Sequence, residues 1–408
     1  MSKNWNMENG MLEALKNKGV FIIAPQTVFI SEDINPDHIE EGVTIYPGCR
    51  ISGRKTFIGK DTKLGYEAPV TIENCAIGRS VELKGGYFKN AVFLDRSAMG
   101  SGAHVREATI VEEEANAAHT VGLKQTILFP FVTLGSLINF CDCMMAGGTS
   151  RKNHSEVGSS YIHFNFTPNM DKATASLIGD VPRGVFLREK PVFLGGQGGL
   201  VGPSRIGFGS TIAAGIVYGN DLADGMLVTG VQSKVKESSF IPGVYFEVTR
   251  KVMNNIFYIA NLIALRKWYT DVRSMFLPVS LLKASIEAID SGLNERTARL
   301  KTFAAKIPES IKGLKLLKTD HLSGVIRGQE EFHSRWPEIE DKLLKFRDLD
   351  GDVKLMRDFM SGLPKGGTDY IETIRSLNES TVRVGISWLS SITSTVETIA
   401  DSLLPALS

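Results

Sequence analysis

A period of six residues is the feature that most constrains this chain. Leu194, Leu200, Ile206 and Ile212 recur at that interval, and each is followed by a small or β-branched residue: Gly195, Val201, Gly207 and Ala213. Earlier stretches repeat the pattern with interruptions, as in Ile45, Ile51 and Phe57, in Ile58-Gly59 and Leu64-Gly65, in Ile77-Gly78 and Leu83, and in Leu128, Leu134-Gly135 and Phe140. Six is neither the helical period nor simple alternation. It fits short extended segments that turn a corner every six residues, with the aliphatic residue pointing inward and a small residue where a side chain would clash. Three such segments close a triangular coil, and stacked coils bury one another's aliphatic residues. The expected fold is mainly β, a parallel β-helix over 26–240. A β-sandwich is the competing reading, but sandwich turns recur every ~8–12 residues, further apart than these.

After about Gly243 glycine becomes sparse and longer apolar periodicities take over. An α-helical domain over 244–408 is expected, with helices over about 250–276, 279–289, 294–307, 324–346 and 369–404. Pro308, Pro337, Pro364 and the Gly366-Gly367 pair punctuate it as helix boundaries. Residues 1–25 form a lead-in. The helical domain carries no chemical motif, and its expected work is to cap the open end of the β-helix or to make subunit contacts.

Composition narrows the partners. The 408 residues carry a net charge of +1, which gives no basic field of the kind that binds nucleic acid or an anionic membrane. Small molecules or proteins are the expected partners. Cys49, Cys75, Cys141 and Cys143 form neither a disulfide framework nor a zinc-type CxxC pair, so a reducing cytoplasm is the expected location and no metal site is expected. Cys141 and Cys143 lie two apart, on one face of a strand in this reading, as buried thiols. The N-terminus, MSKNWNMENGML, lacks the basic start and apolar run of a signal peptide. The apolar run 256–265 is interrupted by Asn261 and is too short to span a bilayer.

Over about 43–221 the sequence resembles the acetyltransferase half of bacterial bifunctional enzymes that acetylate glucosamine-1-phosphate and then uridylylate it. The most specific stretch is VFLGGQGGLVGPSRIGFGSTIAAG, 192–215, which looks like the acetyl-CoA-binding coils of that family and puts Gly196 and Ala214 at the cofactor. The resemblance implies a left-handed β-helix and a homotrimer whose sites lie between neighbouring chains. The glycine-rich LxxGxGxRM loop of the nucleotidyltransferase half has no counterpart. Arg106 in HVREAT and Lys124 in GLKQT fall at the spacing of the residues that hold the sugar phosphate. That role suits them, since an arginine fork makes paired phosphate contacts and a lysine adds a point charge. Asn165 and Phe166 in HFNFTP match an Asn-Tyr pair that contacts sugar hydroxyls, though Phe166 lacks the phenol oxygen, and Lys172 lies one residue beyond the family's second lysine.

The departure is at LGSLINF, where Ser136 replaces the histidine that serves as general base and Asn139 replaces a tyrosine. A serine hydroxyl accepts no proton near neutral pH, which removes the usual base. The segment GGTSRKNHSEVGSSYIHF lengthens the chain before Asn165 by one hexad and brings in His154 and His163 as candidate bases. His163 lies two residues before Asn165, the same side of a strand. Asp171-Lys172 reads as a sugar-site loop or a solvated ion pair. His38, His104, His119, His321 and His333 carry no usable pattern.

Two functional readings follow. One is an acyl-CoA-dependent acyltransferase acting on a sugar phosphate or nucleotide sugar of the UDP-N-acetylglucosamine type. The other is a catalytically silent binder or scaffold, or a partner subunit of a separate nucleotidyltransferase.

Overall fold

The computed structural model describes residues 2–230, 237, 239–317, 320–364, 366 and 369–407, the side chains of 2–9 and 320 excepted. Part of the stretch that closes the expected β-helix domain, 231–236 and 238, lies outside the described residues, as do Met1, Gly367 and Ser408.

The hexads build a parallel β-solenoid. Its first face is an 11-stranded sheet running from Phe21–Ile22 to Leu227–Val228, and a 16-stranded sheet bends round the second and third faces. Each face stacks one inward column. Ile45, Leu64, Leu83, Met99, Ala117, Leu134, Val157, Leu194 and Ile212 fill the first, in register rung by rung. Ile30, Ile51, Ile72, Phe88, Val105, Leu123, Phe140, His163 and Leu200 occupy the second. The corners demand left-handed backbone. Between the second and third faces it is supplied by Asn74, Asn90, Ala108, Gln125 and Asp142, with φ from 50° to 59°; asparagine tolerates this region best among non-glycines.

Among the described residues, the long helices of 244–408 that touch the solenoid pack along its side. α1 (Ser2–Asn17) lies by the first strands, with Leu15 fully buried. α2 (Val181–Gly184) interrupts the solenoid, and its first N–H donates to Oδ1 of the buried Asn261 at 2.8 Å. Asn261 belongs to α3 (Thr249–Asp271), so the residue that breaks the apolar run fastens that helix to the solenoid. α4 (Val279–Leu316) runs along the third face against Ala76–Ile77, Ala91–Phe93 and Thr109–Val111, and α3 covers Ser176–Ile178. The outward column beneath them is Phe57, Ala76, Val92, Ile110, Ile127, Met144 and Leu177, all buried. α5 (Ser323–Lys345) packs on α4, α8 (Glu379–Leu403) packs on α2 and α3, and α6 (Val353–Ser361) packs on α8, while Tyr370 of α7 (Tyr370–Ser376) donates its hydroxyl to the Val185 carbonyl. No helix among the described residues is long and apolar enough to cross a membrane.

Two expected helix boundaries are overturned. Pro308 lies inside α4, joining the segments expected over 279–289 and 294–307, and Pro337 lies inside α5. Proline removes the N–H that would reach the carbonyl four residues back. At Pro308 that carbonyl belongs to Ala304, and His333 Nδ1 of α5 donates to it at 3.0 Å, so the helix continues with its acceptor satisfied. The segment expected over 369–404 is instead split at Asn378, which caps α8 through its side chain.

A buried charge cluster fastens helices to the solenoid. Glu112 and Glu113 follow the strand Thr109–Val111; Arg273 pairs with Glu113, and the Tyr269 hydroxyl donates to Glu112. Burial first, and then the neighbouring Glu113 charge, push the Glu112 carboxyl up to about 7 against the partial relief given by Arg273.

Candidate functional site

Among the described residues the second face stands open, and its outward residues form two columns. The first runs Thr71, Tyr87, His104, Gly122, Asn139, Ile162, Gly199 and Val217. The second begins Glu73, Lys89 and continues through Arg106, Lys124 and Cys141. Arg106 and Lys124 therefore stand on neighbouring rungs, about 4.8 Å apart along the stack, where the Arg106 N–H donates to the Leu123 carbonyl at 2.9 Å. Arg106 is exposed, and Lys124 is half-buried and paired with Glu107 at 2.9 Å. So the structure does bring the two basic residues together at the edge nearest the third face.

The same edge carries Asn165. Its Nδ2 donates to Asp142 Oδ2 at 3.0 Å, and Arg296 of α4 reaches in to Asp142 Oδ1 at 2.8 Å and to Gln125 Oε1 at 3.1 Å. A helix therefore fixes the two corners that follow Lys124 and Cys141. Phe166 is exposed beyond the corner and Lys172 is half-buried with a left-handed φ of 53°. Asp171 is fully buried and pairs with Lys251 of α3 at 3.0 Å, so it is neither a solvated partner of Lys172 nor free for proton transfer.

Cys141 and Cys143 do not share a face. The chain turns at Asp142 (φ 59°), leaving Cys141 on the second face and Cys143 on the third. Burial pushes the Cys141 thiol up to about 11, and it donates to Asn139 Oδ1 at 3.1 Å. It is a packing thiol and not a nucleophile at neutral pH.

The opposite edge, between the first and second faces, holds a second cluster. Two residues past each inward residue of the first face lie His119, Ser136, Ser159, Gly196 and Ala214, one above another. The Ser136 N–H donates to Ser159 Oγ at 3.1 Å and its carbonyl accepts from the Ser160 N–H at 2.8 Å. Small residues are required here: a Cβ on Gly196 would sit 2.7 Å from the Ser159 carbonyl oxygen, and one on Gly195 2.3 Å from the Ala214 nitrogen. Ser136, Gly196 and Ala214 thus share one column, with Asn139 between it and the basic edge.

Neither inserted histidine joins these clusters. His163 sits in the inward column of the second face, its Nε2 2.8 Å from Ser176 Oγ. Burial pulls its pKa down to about 4. The strand ends at Phe164, so the side-parity that linked His163 to Asn165 does not apply. His154 lies in a hairpin of Gly148–Ser150 with Asn153–His154, before the first-face strand Glu156–Val157. Its Nδ1 is 2.8 Å from the carbonyl of Arg151, which itself donates to Phe131 O and Thr133 Oγ1. That is the corner between the third and first faces, across the first face from Ser136.

The solenoid and its hexads are similar to those of hexapeptide-repeat acetyltransferases, as the sequence resemblance implies. The curated relatives agree: the chain is 27% identical over 231 residues to the bifunctional protein GlmU of Thermotoga maritima, covering 56% of this chain and 46% of that protein. It is similar also to the bifunctional protein GlmU of Shouchella clausii, 24% identical over 235 residues, 58% and 46%, and of Geotalea uraniireducens, 28% over 215 residues, 52% and 41%. The chain spans less than half the length of these relatives. No family model matches it.

Proposed function

We propose that the second face binds a sugar phosphate or nucleotide sugar and that the protein is an acyl-CoA-dependent acyltransferase acting there. The observation that carries this reading is the pairing of two edges. Arg106 and Lys124 stand on successive rungs at one, and the column of Ser136, Gly196 and Ala214 stands at the other. A strand segment of about three residues spans roughly 10 Å between them, the scale of a hexose phosphate with its reacting group directed toward an acyl donor. The Lys124–Glu107 pair is only half-buried and costs little to open. In this reading Asn139 and Asn165 supply hydrogen bonds to the sugar, Phe166 and Lys172 flank it, and acetyl-CoA is the co-substrate.

Assembly fits the same picture. The third face is occupied by the chain's own helices, so a homotrimer would close through the first and second faces and complete each site with residues of a neighbour. Light scattering at micromolar concentration tests this: a monomeric mass removes the shared site.

A second reading, a silent sugar-phosphate binder or scaffold, is favoured by Ser136 and by the burial of His163. Calorimetry with acetyl-CoA, glucosamine 1-phosphate and UDP-N-acetylglucosamine separates the two. Binding of acetyl-CoA supports the transferase; binding of the sugar compound alone supports the silent binder; binding of none overturns both.

A further inference from the structure

The column that holds Ser136 also holds an exposed imidazole. Ala117 and Leu134 are paired in register, so His119 occupies in one coil the corner position that Ser136 occupies in the next. The Leu137 N–H donates to the His119 carbonyl at 3.1 Å, which ties the two corners directly. Along this column His119 is followed by Ser136, Ser159, Gly196 and Ala214, so it lies in line with the small-residue column toward which the proposed acyl donor lies. His119 Nδ1 lies 3.3 Å from Thr120 Oγ1, and among the described residues Nε2 has no hydrogen-bond partner.

The strand that follows His119 is Val121–Leu128, which carries Lys124. Between them the outward position is Gly122. A Cβ there would meet only Asn139 Oδ1 and the Ile138 carbonyl, both at 3.9 Å, so open space stands over the face between the imidazole and the phosphate-binding edge. On the next rung the same outward position is Asn139, with Cys141 in place of the lysine. Base, space and cation thus belong to one rung.

We propose that His119 is the general base for acyl transfer, moved one coil from the position Ser136 fills. This rests on the proposed sugar-phosphate acyltransferase. The sugar amine attacks the thioester carbonyl; a C–N bond forms, the C–S bond breaks, and its electron pair leaves on the coenzyme sulfur. The proton released from nitrogen goes to His119 Nε2 and from there to the thiolate or to water, so no further reactant is needed. His154 and His163 are not placed for this step.

The test uses the full chain with acetyl-CoA and glucosamine 1-phosphate. His119→Ala should lower kcat by about a hundredfold, leave KM for the sugar within about threefold, remove the acid-side limb of the pH profile, and regain activity when imidazole is added. Its melting temperature should be unchanged. A His119→Ala variant turning over within about threefold of wild type overturns the inference. In parallel, glucosamine 1-phosphate should shift the His119 ring signals in NMR. Wild type that binds the sugar phosphate without that shift overturns the inference alone, and so does binding with the shift but no acetyl transfer. Wild type that binds neither compound overturns the proposed function, and the inference falls with it.

Discussion

On the second face the strands alternate buried and exposed residues, as in Ala103–Val105, whereas Ala91–Phe93, Thr109–Val111 and Ser176–Ile178 on the third face are buried throughout. Both faces are built of the same kind of hexad, each with its own inward column. They differ in what stands outward: Tyr87, His104, Lys89, Arg106 and Lys124 on one, and Val92, Ile110, Ile127, Met144 and Leu177 on the other. The third face resembles a sheet buried on both sides, with apolar residues in consecutive pairs instead of alternation. Outward chemistry, and not the coil itself, decides which face carries helices and which is left open.

The largest effect that would break this comparison is at the buried cluster beneath α3. Arg273→Met leaves Glu113 and Glu112 without their cation and should cost about 3–5 kcal/mol in chemical denaturation. Sugar-phosphate binding per folded molecule should be unchanged. A stable variant with lost binding would show that the two faces are not independent.

A pH scan of stability sharpens it next, because the two faces respond in opposite senses. Glu112 is raised from 4.5 to about 7 when folded. Its contribution is complete below 4.5 and falls as pH rises toward 7, by on the order of 1–3 kcal/mol. His163 is lowered from 6.5 to about 4, so its contribution is complete above 6.5 and falls as pH drops toward 4. Glu112→Gln should flatten the first slope and His163→Leu the second. If Glu112→Gln leaves the 4.5–7 slope intact, the helix interface is not the titrating element.

On the open face, Arg106→Ala should weaken binding of glucosamine 1-phosphate by ~1–3 kcal/mol in calorimetry, with the melting temperature unmoved. Lys124→Ala should cost less, since wild type must first part Lys124 from Glu107. The smallest effect expected is for Glu107→Gln. It should change stability by at most about 1 kcal/mol and tighten phosphate binding slightly by freeing the lysine. Weaker binding in Glu107→Gln would mean that the carboxylate positions the lysine rather than competing for it.

Much of this was legible in the sequence, because the hexad is a short local signal and the parallel β-solenoid follows from it. The basic pair was singled out by resemblance alone, and the structure puts both residues on adjacent rungs. The helices' docking on the third face was written in the doubled apolar residues Val92-Phe93, Ile110-Val111, Ile127-Leu128 and Met144-Met145, which a search for one inward residue per hexad passes over. His163 was misread because strand parity was counted back from Asn165, which lies past the strand end, and not along the column shared with Phe140 and Leu200. The corner that His119 shares with Ser136 escapes a local reading for a related reason: the two lie one whole coil apart and line up only when the chain is aligned by coils. The Ala304 carbonyl that Pro308 leaves without its helical donor is taken up by His333, and no local pattern announces that long-range contact.

The splint-like course of α4 also changes how the molecule should come apart. A bare solenoid is a one-dimensional stack in which each coil senses only its neighbours, so it can unzip from either end. α4 touches three successive third-face strands at once, and α3 grips a fourth further along. Opening any one of those coils must loosen a helix that the others still hold. The splinted coils should therefore exchange their amide protons as a single block, at a common free energy, while rungs at the far end such as Leu227–Val228 exchange earlier and one by one.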